Sequence, residues 1–267
     1  MIALSGCKIN LGLRILRKRP DGFHDIETMM FPIPWNDIIE MVPSNSFNYS
    51  SSGIIVNVEP SENLVVKAYN LLKSQYEIPP VHIHLHKQVP FGAGLGGGSA
   101  NAATSLVLLN KLFQLNISTD KLKVLAGMLG SDCPFFIENQ PAMAYNRGTD
   151  LEFYPLDLKG VYVLIIKPEF SVSTAKAYSS IRTYSPSGLL KEALSMPKNQ
   201  WQKHLVNDFE IALQGNLPQL KELKQTLYEA GAFYAALSGS GSAVFGLFER
   251  IPNSINQPNL IQKLVSL

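Results

Sequence analysis

The apolar pattern at the start of the chain predicts a strand over residues 2–16, closed by the charged turn Arg17-Lys18-Arg19-Pro20-Asp21-Gly22 as a hairpin or loop. Ser61 is placed to cap a helix running to about Gln75, with Leu64, Val65, Ala68, Leu71 and Leu72 on one face and Pro79-Pro80 as its stop. Alternation of Val81, Ile83 and Leu85 with His82, His84 and His86 predicts a strand from Val81 to Lys87. A helical period from about Asn101 to Phe113 carries Ala102, Ala103, Leu106, Leu109 and Leu112. Ser118 caps a further helix ending at Gly130, and the turn Ser131-Asp132-Cys133-Pro134 follows at once. Short strands are expected at 141–147 and 151–155.

The Pro-and-Asp connector from Tyr154 to Gly160 separates this half from one that begins with the strand Val161–Lys167. The second half reads as a helix near 173–182, two helices between 187 and 214, and a helix from Asn216 to Ala230 that Gly231 ends. Two strands finish it, Ala232–Leu237 and Ala243–Glu249, around Ser238-Gly239-Ser240-Gly241-Ser242. Helices and strands thus mix in both halves, an α+β chain with expected domains at 1–157 and 158–267.

Composition changes this picture only by exclusion. With 46% hydrophobic and 16% charged residues in 267, the chain is an ordinary globular one with enough length for a core that needs no disulfides. The 23 basic and 21 acidic residues leave +2, so there is no electrostatic footprint for nucleic acid and small-molecule partners are favoured. Cys7 and Cys133 are too few for a disulfide framework and match no zinc spacing, as expected of a reducing cytosol. The longest clean apolar run, Val161 to Ile166, falls far short of the ~20 residues of a spanning helix, and Met1 to Asn10 has no signal-peptide pattern. A soluble cytoplasmic protein, not at a membrane, is the expectation.

The chemistry gathers at Pro90-Phe91-Gly92-Ala93-Gly94-Leu95-Gly96-Gly97-Gly98-Ser99-Ala100, between a strand and a helix. Five glycines from Gly92 to Gly98 remove the Cβ atoms that would keep the backbone away from an oxyanion, and the helix supplies unpaired N–H groups and a positive dipole end. That is a phosphate cradle. Gly92 to Gly97 satisfies G-x-G-x-x-G, but the acid expected ~20 residues on at a strand tip is replaced by Asp120 at a helix start, against a dinucleotide fold. No Gly-Lys dipeptide supports a Walker loop, and neither His-Arg-Asp nor Asp-Phe-Gly supports a protein kinase, although Asn207-Asp208-Phe209-Glu210 is superficially like the latter. The three same-face imidazoles of His82, His84 and His86 sit ~7 Å apart along a strand, too far to share one zinc, and read as a solvated face.

Three segments together resemble the GHMP kinases, a superfamily that includes galactokinase, homoserine kinase and mevalonate kinase. The glycine loop with Asn101-Ala102-Ala103 looks like their ATP loop, Lys8-Ile9-Asn10-Leu11 like their first motif, and Leu237-Ser238-Gly239-Ser240-Gly241-Ser242 like their third. Lys8 to Leu13, then Arg19-Pro20-Asp21-Gly22-Phe23-His24 and Thr28, Gly130 to Phe136, and Asn207 to Glu210 resemble the branch that phosphorylates a cytidylated methylerythritol in non-mevalonate isoprenoid synthesis. The resemblance implies a two-domain fold: an N-terminal mixed α/β domain carrying the phosphate loop, and a C-terminal ferredoxin-like α+β domain. It also implies ATP as co-substrate with phosphate-bound Mg²⁺, transfer of the γ-phosphoryl group to a 2-hydroxyl, and a monomer or weak homodimer. Cys7 and Ser131 stand where that branch usually has Ala, Cys133 where it has Val, and Phe23 where it has Tyr, which keeps a stacking face without the phenol hydroxyl.

Site roles follow from the match. Asp132, which turn chemistry alone would make an Asx-turn or cap, becomes the proton acceptor of the attacking hydroxyl. Lys8, a lone cation in an apolar strand, either snorkels or is buried with a partner; beside Asp132 it would keep the carboxylate ionised and add charge near the transferring group. Asn10 shares the Lys8 face and could reach the acceptor, Ser99 serves as cap and as phosphate or magnesium ligand, and residues 90–100 hold ATP. Phe23 and His24 match the cytidine-binding pair, Tyr178 resembles a second stacking aromatic, and Gly239 with Ser240 offers backbone N–H groups to phosphates. Arg14, Arg17, Lys18 and Arg19 read as a solvated loop face outside the site. Two rivals stay open: another small-molecule GHMP kinase, and a non-catalytic nucleotide-binding module.

Overall fold

The computed structural model describes residues 1–56, 58–213, 217–253 and 260–267. In chain order the elements are β1 (Ile2–Lys18), β2 (His24–Pro43), β3 (Asn48–Gly53), α1 (Leu64–Gln75), β4 (Val81–Lys87), α2 (Gly97–Leu112), α3 (Thr119–Leu129), α4 (Phe135–Glu138), β5 (Ala142–Asn146) and β6 (Asp150–Phe153). There follow β7 (Tyr162–Lys167), α5 (Thr174–Ser179), α6 (Leu189–Ser195), α7 (Trp201–His204), α8 (Asp208–Leu213), α9 (Pro218–Glu229), β8 (Tyr234–Leu237), β9 (Val244–Phe248) and β10 (Ile261–Ser266). Two compact units interleave along the sequence. The first comprises 1–7, 35–91 and 96–140, and the second 8–34, 92–95 and 141–267.

In the first unit β4 lies between β3, its parallel neighbour, and the Ile38–Pro43 stretch of β2, its antiparallel one. Val81, Ile83 and Leu85 turn inward to meet Val65, Ala68, Tyr69 and Leu72 of α1, Ala102, Leu106 and Leu109 of α2, and Leu122, Leu125 and Ala126 of α3. The three- and four-residue spacing of those helical positions is what makes each helix bury one stripe. His82, His84 and His86 stay on the other face, as expected, but they are tied to the neighbouring strand. Ser50 Oγ lies 3.0 Å from His82 Nε2 and 2.9 Å from His84 Nδ1, and Ser52 Oγ lies 2.9 Å from both His84 Nε2 and His86 Nδ1.

Several boundaries differ from the sequence reading. Asn63, not Ser61, caps α1 and accepts from Val65 N–H at 3.0 Å, because Pro60 first drives a short 3₁₀ turn over 60–62 that displaces the helix start. Helix α2 starts at Gly97 rather than Asn101, with Gly96 as its N-cap at φ 69° and no side chain capping it. The last loop glycines therefore form the first helical turn, and the helix mouth is edged by backbone N–H groups alone. Ser118 and Gly130 bound α3 as expected.

In the second unit Ile26–Met30 of β2 pairs antiparallel with β5, which pairs with β6. A separate antiparallel sheet runs in the order β10-β7-β9-β8. With its strands counted in chain order that is 4-1-3-2, the ferredoxin-like arrangement. Its core joins Leu164, Ile166, Leu237 and Val244 of the sheet to Phe209, Leu220, Leu223 and Leu227 of the helices. Three helices, not two, occupy residues 187–213, since Pro197 starts a 3₁₀ turn between α6 and α7. Helix α9 starts at Pro218; Asn216 lies outside the described residues. The strands β2, β3 and β10 went unpredicted. Among the described residues no helix is long and apolar enough to cross a membrane.

Candidate active site

In the first unit the mouth of α2 meets the turn that carries Asp132. Gly130, the C-cap of α3, turns the chain so that Cys133 N–H donates to its carbonyl at 3.1 Å. A Cβ on Gly130 would lie 3.2 Å from Cys133 Sγ and 4.0 Å from Ser99 Oγ, and Ser99 hydrogen-bonds the Cys133 side chain. The half-buried Asp132 is thereby set next to the residue that anchors it beside the first turn of α2. Burial pushes the Cys133 thiol up to about 12, against the Ser99 hydrogen bond, so it is a packing group here and not a nucleophile.

In the second unit the first glycine stretch meets Lys8. Its backbone N–H donates to Leu95 O at 2.9 Å, and its ammonium donates to Asn10 Oδ1 at 2.5 Å and to Gly94 O at 3.0 Å. Asn10 passes the contact on, donating to Thr28 Oγ1 at 2.9 Å, and Thr28 donates to Gly12 O at 2.7 Å. Lys8, Asn10 and Thr28 are 3%, 1% and 0% exposed, so each polar atom in the row depends on the next. The snorkelling alternative for Lys8 is thus excluded.

The second glycine loop closes on the same group. A Cβ on Gly239 would stand 3.4 Å from both Lys8 Nζ and Asn10 Oδ1, and one on Gly94 would stand 2.0 Å from Ser238 O. Ser238 Oγ donates to Gly94 O at 2.9 Å, and Ala243 N–H donates to Ala93 O at 3.0 Å. Asn207 braces this loop by donating to Leu237 O and Gly239 O, both at 2.9 Å, while Glu210 accepts from Leu237 N–H at 2.8 Å. The Asn207 to Glu210 stretch therefore holds backbone in place.

Ser240 Oγ is 3.1 Å from Thr174 Oγ1, and one helical turn along α5 Tyr178 stacks on His24 with centroids 4.7 Å apart and planes at 21°. Phe23 takes a different partner: the Arg147 guanidinium lies 3.6 Å from its ring centroid, a contact the sequence reading missed. Burial, with help from the charge of Lys18, holds the His24 imidazole below its ordinary value. In the folded protein His24 is accordingly the neutral form at pH 7. Its contribution to stability is fully present above the ordinary value near 6.5 and is lost as pH falls through the lower folded value.

The basic cluster is a solvated face only in part: Arg17 and Lys18 are exposed, whereas Arg14 and Arg19 are half-buried. Arg14 is paired with Asp208 at 3.2 Å, and Arg17 and Arg19 both grip Asp25 at 2.5 and 2.7 Å. These arginines lock β1 to its neighbours, because buried carboxylates on adjacent segments demand cations. Among the described residues no cluster of three or more His, Cys, Asp or Glu is arranged to hold a metal ion.

The family model described as the GHMP kinases N terminal domain matches residues 63–144, and that of the GHMP kinases C terminal domain matches 196–263. A 4-diphosphocytidyl-2-C-methyl-D-erythritol kinase of Parabacteroides distasonis is 49% identical over 250 residues, 94% of this chain and 92% of the relative. One of Bacteroides thetaiotaomicron is 47% identical, covering 93% and 92%. A crystal structure of 4-(cytidine 5'-diphospho)-2C-methyl-D-erythritol kinase superposes with a TM-score of 0.78 at 31% identity, over 92% of this chain and 90% of that one. The Methanococcus jannaschii mevalonate kinase has the same fold, with a TM-score of 0.71 at 15% identity over 93% and 90%. Near half-identity along almost the whole of both relatives leaves no room for a different branch: the chain belongs to the 4-diphosphocytidyl-2-C-methyl-D-erythritol kinase family of GHMP kinases.

Proposed function

We propose that the protein is an ATP-dependent kinase that phosphorylates the 2-hydroxyl of 4-diphosphocytidyl-2-C-methyl-D-erythritol in non-mevalonate isoprenoid synthesis. The observation that carries the phosphoryl-transfer part is Lys8, a 3%-exposed ammonium tied to the carbonyl of Gly94 inside the glycine loop. The acceptor is that of the relatives 49% and 47% identical to this chain over nearly its whole length. Residues 90–100 hold the triphosphate, with backbone N–H groups of the glycine stretch as the donors. Asn10, Phe23, His24, Tyr178, Gly239 and Ser240 hold the acceptor, with the His24–Tyr178 pair as its aromatic platform.

The acceptor oxygen attacks the γ-phosphorus, its proton passes to the Asp132 carboxylate, and the β–γ bridging oxygen leaves with ADP. Lys8 offsets charge on the transferring group. Magnesium bound to the triphosphate would supply further charge neutralisation, and Ser99 in the first turn of α2 would be the side-chain oxygen that holds it. A domain division at residue 157 separates the two family matches. A monomer or weak homodimer in the cytoplasm, with no nucleic acid partner, completes the reading.

A coupled assay with ATP and the cytidylated acceptor, run beside homoserine and mevalonate, tests it. Turnover with the first alone is expected; turnover only with either of the others overturns the acceptor assignment. Two variants test the parts. The ideal Cβ of Gly98 meets only Leu64 Cδ1, at 3.7 Å. Gly98→Ala should therefore fold with stability equal to or about 0.5–1 kcal/mol above the parent by helix propensity. It should nonetheless bind ATP more weakly by calorimetry, since a methyl group then stands where a phosphate oxygen approaches. As pH falls through the depressed folded value of His24, acceptor KM should rise while ATP KM stays flat, and His24→Gln should flatten the acceptor profile.

A further inference from the structure

We infer that Asp37 is a positioning residue for the nucleotide, one buried carboxylate that fixes the two ends of the segment carrying the glycine loop. The inference rests on the reading that residues 90–100 hold ATP. Asp37 is 0% exposed in the first unit, on β2. Its Oδ1 accepts from Gln88 N–H at 2.7 Å and from Val89 N–H at 2.8 Å, the last residues before Pro90. Its Oδ2 accepts from Lys87 Nζ, and from Asn101 Nδ2 at 2.9 Å in the second turn of α2. Asn101 also donates to Ser5 Oγ at 2.9 Å, which fixes the helix to β1.

The chain thus enters the loop held by one carboxylate oxygen and leaves it held by the other. Gly97, the first residue of α2, closes the same knot: a Cβ there would lie 3.1 Å from Lys87 Nζ and 3.0 Å from Val89 Cγ1. Burial holds the Lys87 ammonium below its ordinary value, and the Asp37 carboxylate offsets part of that. A buried pair of this kind adds little net stability over well-packed apolar residues, so stability alone does not account for it. What it does supply is a fixed spacing between the strand end and the helix mouth. A misplacement of ~1 Å in such a scaffold is enough to lower the fit of a bound group markedly.

The test uses the full chain with ATP·Mg²⁺ and three variants. Asn101→Ala cuts the tether on the helix side and leaves the Asp37–Lys87 pair in place. Its ATP Kd by calorimetry and its ATP KM should rise about tenfold, the loss of one charge-assisted hydrogen bond, with acceptor KM unchanged. Asp37→Asn keeps an oxygen for Gln88 and Val89 but turns an amide donor toward Lys87 and Asn101, so it should lose both stability and ATP affinity. Adding Lys87→Met to it should recover Tm but not ATP affinity. Wild-type ATP affinity in Asn101→Ala, an equal rise of both KM values, or recovery of ATP affinity together with Tm in the double variant would overturn the positioning role. Failure of the parent protein to bind ATP·Mg²⁺ would instead overturn the reading of the loop.

Discussion

Asp132→Asn is expected to lower kcat about a thousandfold, the upper-middle range for loss of a general base, while ATP affinity by calorimetry stays at the parent value. The substitution keeps the size of the side chain and its ability to accept within the turn, so the Gly130–Cys133 hydrogen bond and the Ser99 contact persist. What it removes is a group able to take the proton of the attacking hydroxyl. Acceptor KM should change little, because the aromatic platform of His24 and Tyr178 is built on other elements. A variant that retains near-parental kcat would remove Asp132 from the chemistry. One that merely binds ATP as the parent does, and whose parent also shows no turnover, would favour the non-catalytic module.

Gly94→Ala should produce a large structural effect for a single methyl group. At φ 76° an L-residue costs roughly 1–2 kcal/mol. The new Cβ would also stand 2.0 Å from Ser238 O, 3.0 Å from Ser238 C and 3.1 Å from Gly241 N. All three are backbone atoms, so no side chain can swing aside, and overpacking adds roughly 1–3 kcal/mol. The displaced carbonyl of Gly94 would also release Lys8 Nζ and Ser238 Oγ. Tm should fall by about 10 °C, and ATP affinity should fall with it. The contrast with Gly98→Ala, where fold and binding separate, distinguishes a glycine required by neighbouring backbone from one required by a ligand. A Gly94→Ala protein as stable as the parent would show that the two loops do not bear on each other as described.

Much of this was legible in the sequence because the informative signals are local. Alternation gave β4 its full length, Ser118 and Gly130 bounded α3, and the glycine stretch announced itself by composition. The long strand β2 was not legible because Asp25 to Phe31 is buried at every position, so its first half has no polar-apolar period to read. It also hides Asp25, Glu27, Thr28 and Asp37 in positions where charged and polar residues ordinarily signal surface. β10 failed for the opposite reason: of Ile261 to Ser266 only Val265 is buried, and an edge strand without an apolar face resembles a loop. Asn63 and Ser61 are equally good caps on paper, and only the 3₁₀ turn begun by Pro60 decides between them.

Among site residues, Lys8, Asn10, Gly94 and Gly239 came together as motif order suggested. Arg147 and Asp37 did not, since their partners Phe23, Lys87 and Asn101 lie far away in sequence and no local pattern links them. Arg14 and Arg19 are less exposed than expected because their carboxylate partners, Asp208 and Asp25, are invisible until the fold brings them near.

The two serines between the imidazoles of β4 have one hydroxyl hydrogen each, and each sits between two ring nitrogens. If Ser50 donates to His82 Nε2, it must receive from His84 Nδ1; His84 Nε2 is then bare and takes the Ser52 hydrogen, which leaves Ser52 to receive from His86 Nδ1. The opposite choice at His82 reverses every bond. Whenever the three rings are all uncharged they share a single tautomer, and the row then behaves as one two-position element rather than three independent side chains.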